Sequence, residues 1–294
     1  MQAHGTLCKS VCPPPSRFVR PRSYGAGMRP TLDYLTPLAV ESERFGDLLA
    51  ATDPAKPVPT CPEWSAVDLL WHLTEVQLFW GTIVRERLPD PAEAARQKPD
   101  RPTDLDALLH LFATAGIALH DALSTTPPET PVWTWADDRT VGFVRRRQAH
   151  EALIHRVDAE LTAAVVPGQG APIDPAFATD GVDEALRVMF GELDDWGAFT
   201  PDGSTVRVET TDTDASWTVA PGRFVGTSPD TGDEVDEPVL TVVDAAAAPA
   251  AVVRGESADV DCWLWGRLGP GQLDRRGDTE VLRRLQEIVD RGLD

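Results

Sequence analysis

Residues 145–160 read RRRQAHEALIHRVDAE, and the spacing of three side chains in this stretch decides how the whole chain is to be understood. His150, Glu151 and His155 first suggest a zinc-protease helix. That motif places its histidines four residues apart, whereas His150 and His155 are five apart and diverge by about 140° around a helix. Glu151 and His155 are the pair at four residues, stacked about 6 Å apart along one face. One carboxylate oxygen and one imidazole nitrogen from this face can reach a single ion. The same face runs Val141, Val144, Gln148, Glu151, His155, Ala159, Thr162 and Val166, polar in the middle and apolar at both ends. A surface Glu/His pair without function would fit that pattern as well.

A second helix adds weight to the functional reading. In SAVDLLWHLTEVQLFW, residues 65–80, Leu69, Leu73, Val76 and Trp80 form the inward stripe. His72, three after Leu69 and four before Val76, points toward the same face. A lone inward histidine is more often a hydrogen-bonded core residue than a ligand. Joined to Glu151 and His155, it completes a set of two imidazoles and one carboxylate from two helices. Such a three-ligand site with an open position is the arrangement of catalytic rather than structural zinc. Asp158 and Glu75, the latter three residues past His72, are candidates to orient an imidazole from outside the ligand set, and ordinary helix charges explain them equally well.

Outward from these helices the chain reads as a bundle. LDYLTPLAVESERFGDLLA predicts a helix over about 31–52, bent or restarted by Pro37. KPVPTCPEWS is expected to be a loop, after which Ser65 and Asp68 form a capping-box signature for a helix running to about Arg87. Thr103 and Asp106 repeat the signature before DLDALLHLFATAGIALHDAL. TPPETPVWTWADDRT then leads into the fourth helix, over about 141–165. Four helices of about 20 residues joined by polar, Pro-rich loops describe a helical bundle. Beyond Pro167 the pattern changes to one helix near DEALRVMFGELDDW, then the strand-like runs TVRVETT, ASWTVA, EPVLTVV and AAVVRG, and a closing helix DTEVLRRLQEIVDRG. The fold class is therefore mainly α, a four-helix bundle followed by a smaller α+β domain.

The chain's 294 residues suit two domains, and its 42% hydrophobic and 25% charged composition suits a folded, soluble protein. A formal charge of −20 repels phosphate backbones and anionic headgroups, so neither nucleic acid nor membrane is an expected partner. No apolar run of about 18 residues predicts a membrane span, and the first thirty residues lack the apolar middle of a signal peptide, so the expected compartment is the cytoplasm. Residues 1–28, rich in Pro, Arg, Ser and Gly, are expected to be a disordered extension. The four cysteines show no zinc-site spacing and no disulfide framework is expected. Cys262 reads as a buried inert thiol, while Cys61 lies in the loop before the His72 helix. In GESADVDCWLWGRLG, residues 255–269, Arg267 follows two tryptophans, and an arginine in such an apolar run calls for a carboxylate, from the protein or from a substrate.

With these residues in view, the chain resembles the mycothiol-dependent maleylpyruvate isomerase family. VPTCPEWSAVDLLWHL looks like that family's loop and first ligand helix, and RRRQAHEALIHRVDAE like its second. The resemblance implies a DinB-like metal-binding bundle over 29–166 and a C-terminal α+β domain, likened to sterol carrier proteins, over 167–294. It places the metal triad on His72, Glu151 and His155, in agreement with the helix geometry, and the family's conspicuous arginine on Arg267. It also implies mycothiol as cosubstrate, zinc as the favoured divalent metal, and a small-molecule electrophile as partner. The expected chemistry is thiolate attack on that electrophile, ending as isomerisation or as thiol transfer, with Arg267 pairing a substrate carboxylate. Two rival readings remain: a non-catalytic metal- and ligand-binding protein, and a metal-dependent hydrolase using Glu75 or Asp158 as general base.

Overall fold

Asp33 starts the first helix: its carboxylate accepts from the backbone N–H groups of Leu35 (2.9 Å) and Thr36 (3.3 Å), donors that a helix's first turn leaves unpaired. In the computed structural model, which describes residues 32–165, 170–229, 231–244 and 248–293, helix α1 covers Leu35–Ala50 as one continuous element. Pro37 falls in its first turn, where a missing N–H costs little, so the expected restart does not occur. The expectations for residues 1–28, and the end of the ligand face at Val166, lie outside the described residues.

The segment expected as a loop instead contains a small antiparallel hairpin, β1 (Pro57–Val58) and β2 (Cys61–Ser65). Its base is tied to the next helix by Ala66 N–H donating to Lys56 O at 2.8 Å. Helix α2 (Ala66–Glu86) then opens on the Ser65/Asp68 capping box, and Arg87 ends it in the left-handed region at φ 52°. A short helix α3 (Pro91–Arg96) has no counterpart in the sequence reading. Helix α4 (Leu105–Thr125) is capped by Asp104 rather than Thr103, the Asp104 carboxylate accepting from Ala107 N–H at 2.9 Å. Helix α5 (Val141–Ala163) begins at Thr140, whose hydroxyl accepts from Phe143 N–H.

These four long helices bury a common core. α1 packs chiefly on α5 and α2 on α4. Phe45 and Leu49, Leu69, Leu73 and Ile83, Leu108, Phe112 and Leu119, and Val144 and Leu153 are all buried. Each such side chain contributes about 1.5–3 kcal/mol by leaving water. Among the described residues one helix, α4, is long and apolar enough to cross a membrane, at a mean hydropathy of 1.3. Here it serves the bundle: Leu108, Phe112, Ala115, Leu119 and Leu123 lie inward at the three- and four-residue spacing of one helical face.

The chain divides between Ala171 and Pro172 into two compact units. The second opens with helix α6 (Pro175–Glu184), capped by Asp174 with proline at its first position, so it starts before the run expected from sequence and continues through a π-helical turn to Met189. A mixed sheet of six strands follows: β3 (Gly197–Pro201), β4 (Val206–Thr210), β5 (Ser216–Thr227), β6 (Glu234–Val243), β7 (Ala251–Gly255) and β8 (Asp274–Gly277). β5 is its longest strand. It pairs with β6 along one edge, and with β4 and then β3 along the other, while β7 joins β4 in parallel and β8 closes antiparallel on β7. Helix α7 (Ser257–Leu264), also missed from sequence, and α8 (Thr279–Asp290) complete the unit. β4 alternates buried and half-buried residues, with Val206 and Val208 inward, as a strand with one covered face should. The architecture is a helical bundle domain followed by a smaller α+β domain.

Candidate metal centre

Helix α5 is buried on nearly every side although its sequence is polar: Arg147, Gln148, His150, His155, Arg156, Asp158 and Thr162 are all inside. Burying a charge is costly unless it is paired and hydrogen-bonded. Arg156 meets Glu41 of α1 at 2.7 Å and Glu160, one turn on, at 2.9 Å. The remaining charges converge on one point between α5 and α2.

There the Nε2 atoms of His72 and His155 lie 3.1 Å apart, and Glu151 Oε1 lies 3.2 Å from His155 Nε2 and 3.6 Å from His72 Nε2. Among the described residues these three form a group able to offer its ligand atoms to one ion. A tetrahedral zinc with bonds of about 2.0–2.1 Å needs its ligand atoms about 3.3 Å apart. The observed separations bracket that value, so the donor set fits in both type and spacing.

The surroundings orient each donor. Asp158, fully buried, faces His155 Nδ1 through Oδ2 at 2.9 Å and accepts from the Thr60 hydroxyl through Oδ1 at 2.6 Å. With a carboxylate on Nδ1, the Nε2 lone pair is directed at the site. Arg147 donates from Nη2 to Glu151 Oε2 at 3.0 Å, leaving Oε1 toward the histidines. The Trp64 ring packs on the His72 ring at 4.7 Å between centroids, tilted by 43°. The hairpin thus touches both ligand helices, through Thr60 on α5 and Trp64 on α2. Glu75 is ion-paired with Lys98, which also lies over the Trp71 ring, while its charge still favours the protonated form of His72.

These contacts set the titration of the metal-free site. Burial works against the charged form of His155, but the Asp158 and Glu151 carboxylates outweigh it and push the group up to about 9. Burial pushes His72 down, only partly offset by Glu151. For Glu151 burial acts upward, yet the two imidazoles and the Arg147 charge hold it well below the usual carboxylate range.

Arg267 belongs to the second unit, just beyond α7. It is half-buried, its guanidinium donates to Trp265 O, and its N–H donates to Cys262 O at 2.7 Å. Cys61 is buried in β2 beside Thr60, and Cys262 is half-buried in α7 rather than enclosed. Thr60, Trp64 and Arg147 were not singled out from sequence. Arg147 had a signal, since Arg147, Glu151 and His155 recur every fourth residue, but a cation at that spacing reads equally as a solvated helix pair.

Residues 35–160 match the family model described as the mycothiol maleylpyruvate isomerase N-terminal domain, and residues 176–284 match that of the corresponding C-terminal domain. Among solved structures, the chain is similar to a crystal structure of the mycothiol-dependent maleylpyruvate isomerase, at 15% identity and a TM-score of 0.52, covering 84% of this chain and 93% of that one. It is similar also to a histidine-to-alanine mutant of that enzyme, at 14% identity and a TM-score of 0.51, with the same coverage. A search of curated proteins finds no significant match.

Proposed function

Because the chain belongs to the mycothiol-dependent maleylpyruvate isomerase family, we propose that it is a metal-dependent enzyme that uses mycothiol as a nucleophile toward a small electrophile. The observation carrying this reading is the set of three ligand atoms 3.1–3.6 Å apart, two imidazoles and one carboxylate, held on two helices. His72, Glu151 and His155 are the proposed ligands of one divalent ion; nickel, iron and zinc all accept this donor set, and zinc is favoured by the family and its absence of redox chemistry. Such an ion supplies Lewis acidity that keeps a bound thiol as thiolate at neutral pH.

The chain's own residues do the rest. Asp158 holds the proton on His155 Nδ1 and Thr60 fixes Asp158. Trp64 walls the His72 side of the site. Arg267 is proposed to pair the carboxylate of the electrophile while the thiol adds to an activated alkene carbon. Rotation about the former double bond and loss of the thiol gives an isomer, whereas release of the adduct gives a conjugate, and both use the same residues. Metal-assisted hydrolysis is the weaker reading. It needs a base at the open position, and Glu75 is engaged by Lys98 while Asp158 is enclosed by Thr60 and His155. The compartment proposed for this thiol-using enzyme is the cytoplasm, where free thiols are kept reduced.

Elemental analysis and calorimetry on the same preparations test this. About one metal per chain with mycothiol binding that disappears in His155→Ala is the expected result. Metal without thiol binding would leave a binder or a hydrolase, and a chain that cannot be loaded would remove the site.

A further inference from the structure

Three consecutive turns of α5 carry Arg147, Glu151 and His155 in one stack, each four residues from the next. Arg147 is 4% exposed, and its Nη2 takes Glu151 Oε2 at 3.0 Å while Oε1 alone faces the two imidazoles at 3.2 and 3.6 Å. A guanidinium buried beside a site that attracts a cation works against that site by charge alone. It is consistent with a metal centre only if it does something to the carboxylate that a neutral neighbour would not.

Building on the metal site proposed above, we infer that Arg147 is a positioning residue that confines Glu151 to coordination through one oxygen and so keeps a coordination position open for the thiol. A free carboxylate can chelate through both oxygens, and zinc readily expands to five ligands. Two imidazoles and a chelating carboxylate would occupy four positions and leave the thiol to compete for a fifth. With Oε2 committed to a charge-assisted hydrogen bond, Glu151 supplies one donor atom, and two imidazoles plus one oxygen make three. Arg147 achieves this from the same rigid helix that carries Glu151 and His155, so the restriction does not depend on any loop.

The test uses the full chain loaded with cobalt(II), whose visible bands are intense in four-coordinate sites and weak in five-coordinate ones, with 2-mercaptoethanol as the thiol probe. Wild type is expected to show intense bands and a new thiolate-to-cobalt charge-transfer band on adding the thiol. Arg147→Met should reduce the visible intensity about twofold or more and raise the thiol concentration for half-saturation about tenfold, while Arg147→Lys, which retains a donor, should lie between. Unchanged spectra and thiol response in a folded Arg147→Met protein overturn the inference. So does X-ray absorption on the zinc-loaded wild type that finds Glu151 bound through both oxygens, a measurement that needs no variant. A wild type that takes up no cobalt at all would instead sink the metal site itself.

Discussion

Replacing Asp158 by asparagine changes one atom and preserves shape, so it isolates what the carboxylate does for His155. Asp158 is fully buried and both its oxygens are in use, Oδ1 by the Thr60 hydroxyl at 2.6 Å and Oδ2 by His155 Nδ1 at 2.9 Å. An asparagine can turn two ways. With its amide nitrogen toward His155, Nδ1 must accept, the ring proton moves to Nε2, and the atom meant for the metal is blocked. With its nitrogen toward Thr60, the hydroxyl can rotate to accept, and His155 retains its orientation with a neutral partner roughly half as strong as the charged one. The second orientation bounds the loss from below, and partners of this kind typically carry about 10–100-fold in metal affinity. That corresponds to about 1.4–2.7 kcal/mol. Zinc competition against a chelator at pH 7.5, with circular dichroism to verify folding, reads the change directly. Thr60→Val, which spares the charge, should cost less than Asp158→Asn. A folded Asp158→Asn protein within about threefold of wild type would refute the assignment of Asp158 as the group that fixes the His155 tautomer.

Other expectations follow from the same contacts. Arg156→Met takes away the buried cation that Glu41 and Glu160 share and leaves Glu41 only the half-buried Arg44, and loss of one partner from a buried pair should cost about 3–5 kcal/mol, read as a lower urea midpoint of the bundle transition; under about 1 kcal/mol would mean the network is dispensable. At Gly222 in β5 an added Cβ would lie 2.4 Å from Thr200 O and 2.6 Å from the Phe199 ring, so Gly222→Ala should force β3 away and cost about 1–3 kcal/mol in thermal unfolding. In chelator-treated protein, folded His155 retains its proton to about 9 and the unfolded chain loses it near 6.5. Its contribution is therefore fully present below about pH 6.5 and lost as pH rises through 9, so the urea midpoint should fall over that interval, and Asp158→Asn should flatten the slope. An equal slope in both proteins would assign it elsewhere.

What could be read from sequence followed the range of the interactions responsible. The Ser65/Asp68 capping box, the four long helices and the shared face of Glu151 and His155 rest on local spacing, and the structure forms each of these features, whereas His72 reaches that face only through the packing of α2 on α5. The hairpin at 57–65 escaped because one strand has two residues and its anchors, Lys56 O and the Thr60–Asp158 bond, carry no local periodicity. Thr103 and Asp104 are both good caps, and only the backbone decides that Asp104 is used. The Asp174–Pro175 start of α6 was a legible signal that the hydrophobic run after it obscured. Arg147 and Arg156 were the deepest misses, since charged residues four apart on a helix normally face water. What takes them inside is Glu41, 115 residues before Arg156, together with the His72, Glu151 and His155 cluster, which exists only after α2 and α5 meet.

That separation of 115 residues also sets a clock on the ribosome. α1 packs chiefly against α5, the last helix of the bundle to be made, and until Arg156 emerges Glu41 has only the half-buried Arg44 of its own helix. At about 5–20 residues per second the nascent chain spends about 6–23 seconds between making Glu41 and making Arg156, with the face of α1 that packs on α5 uncovered. Until α5 is made, α1 lacks the helix it chiefly packs on, so slower synthesis lengthens the interval in which that apolar face needs shielding, and yield on expression should fall as translation slows.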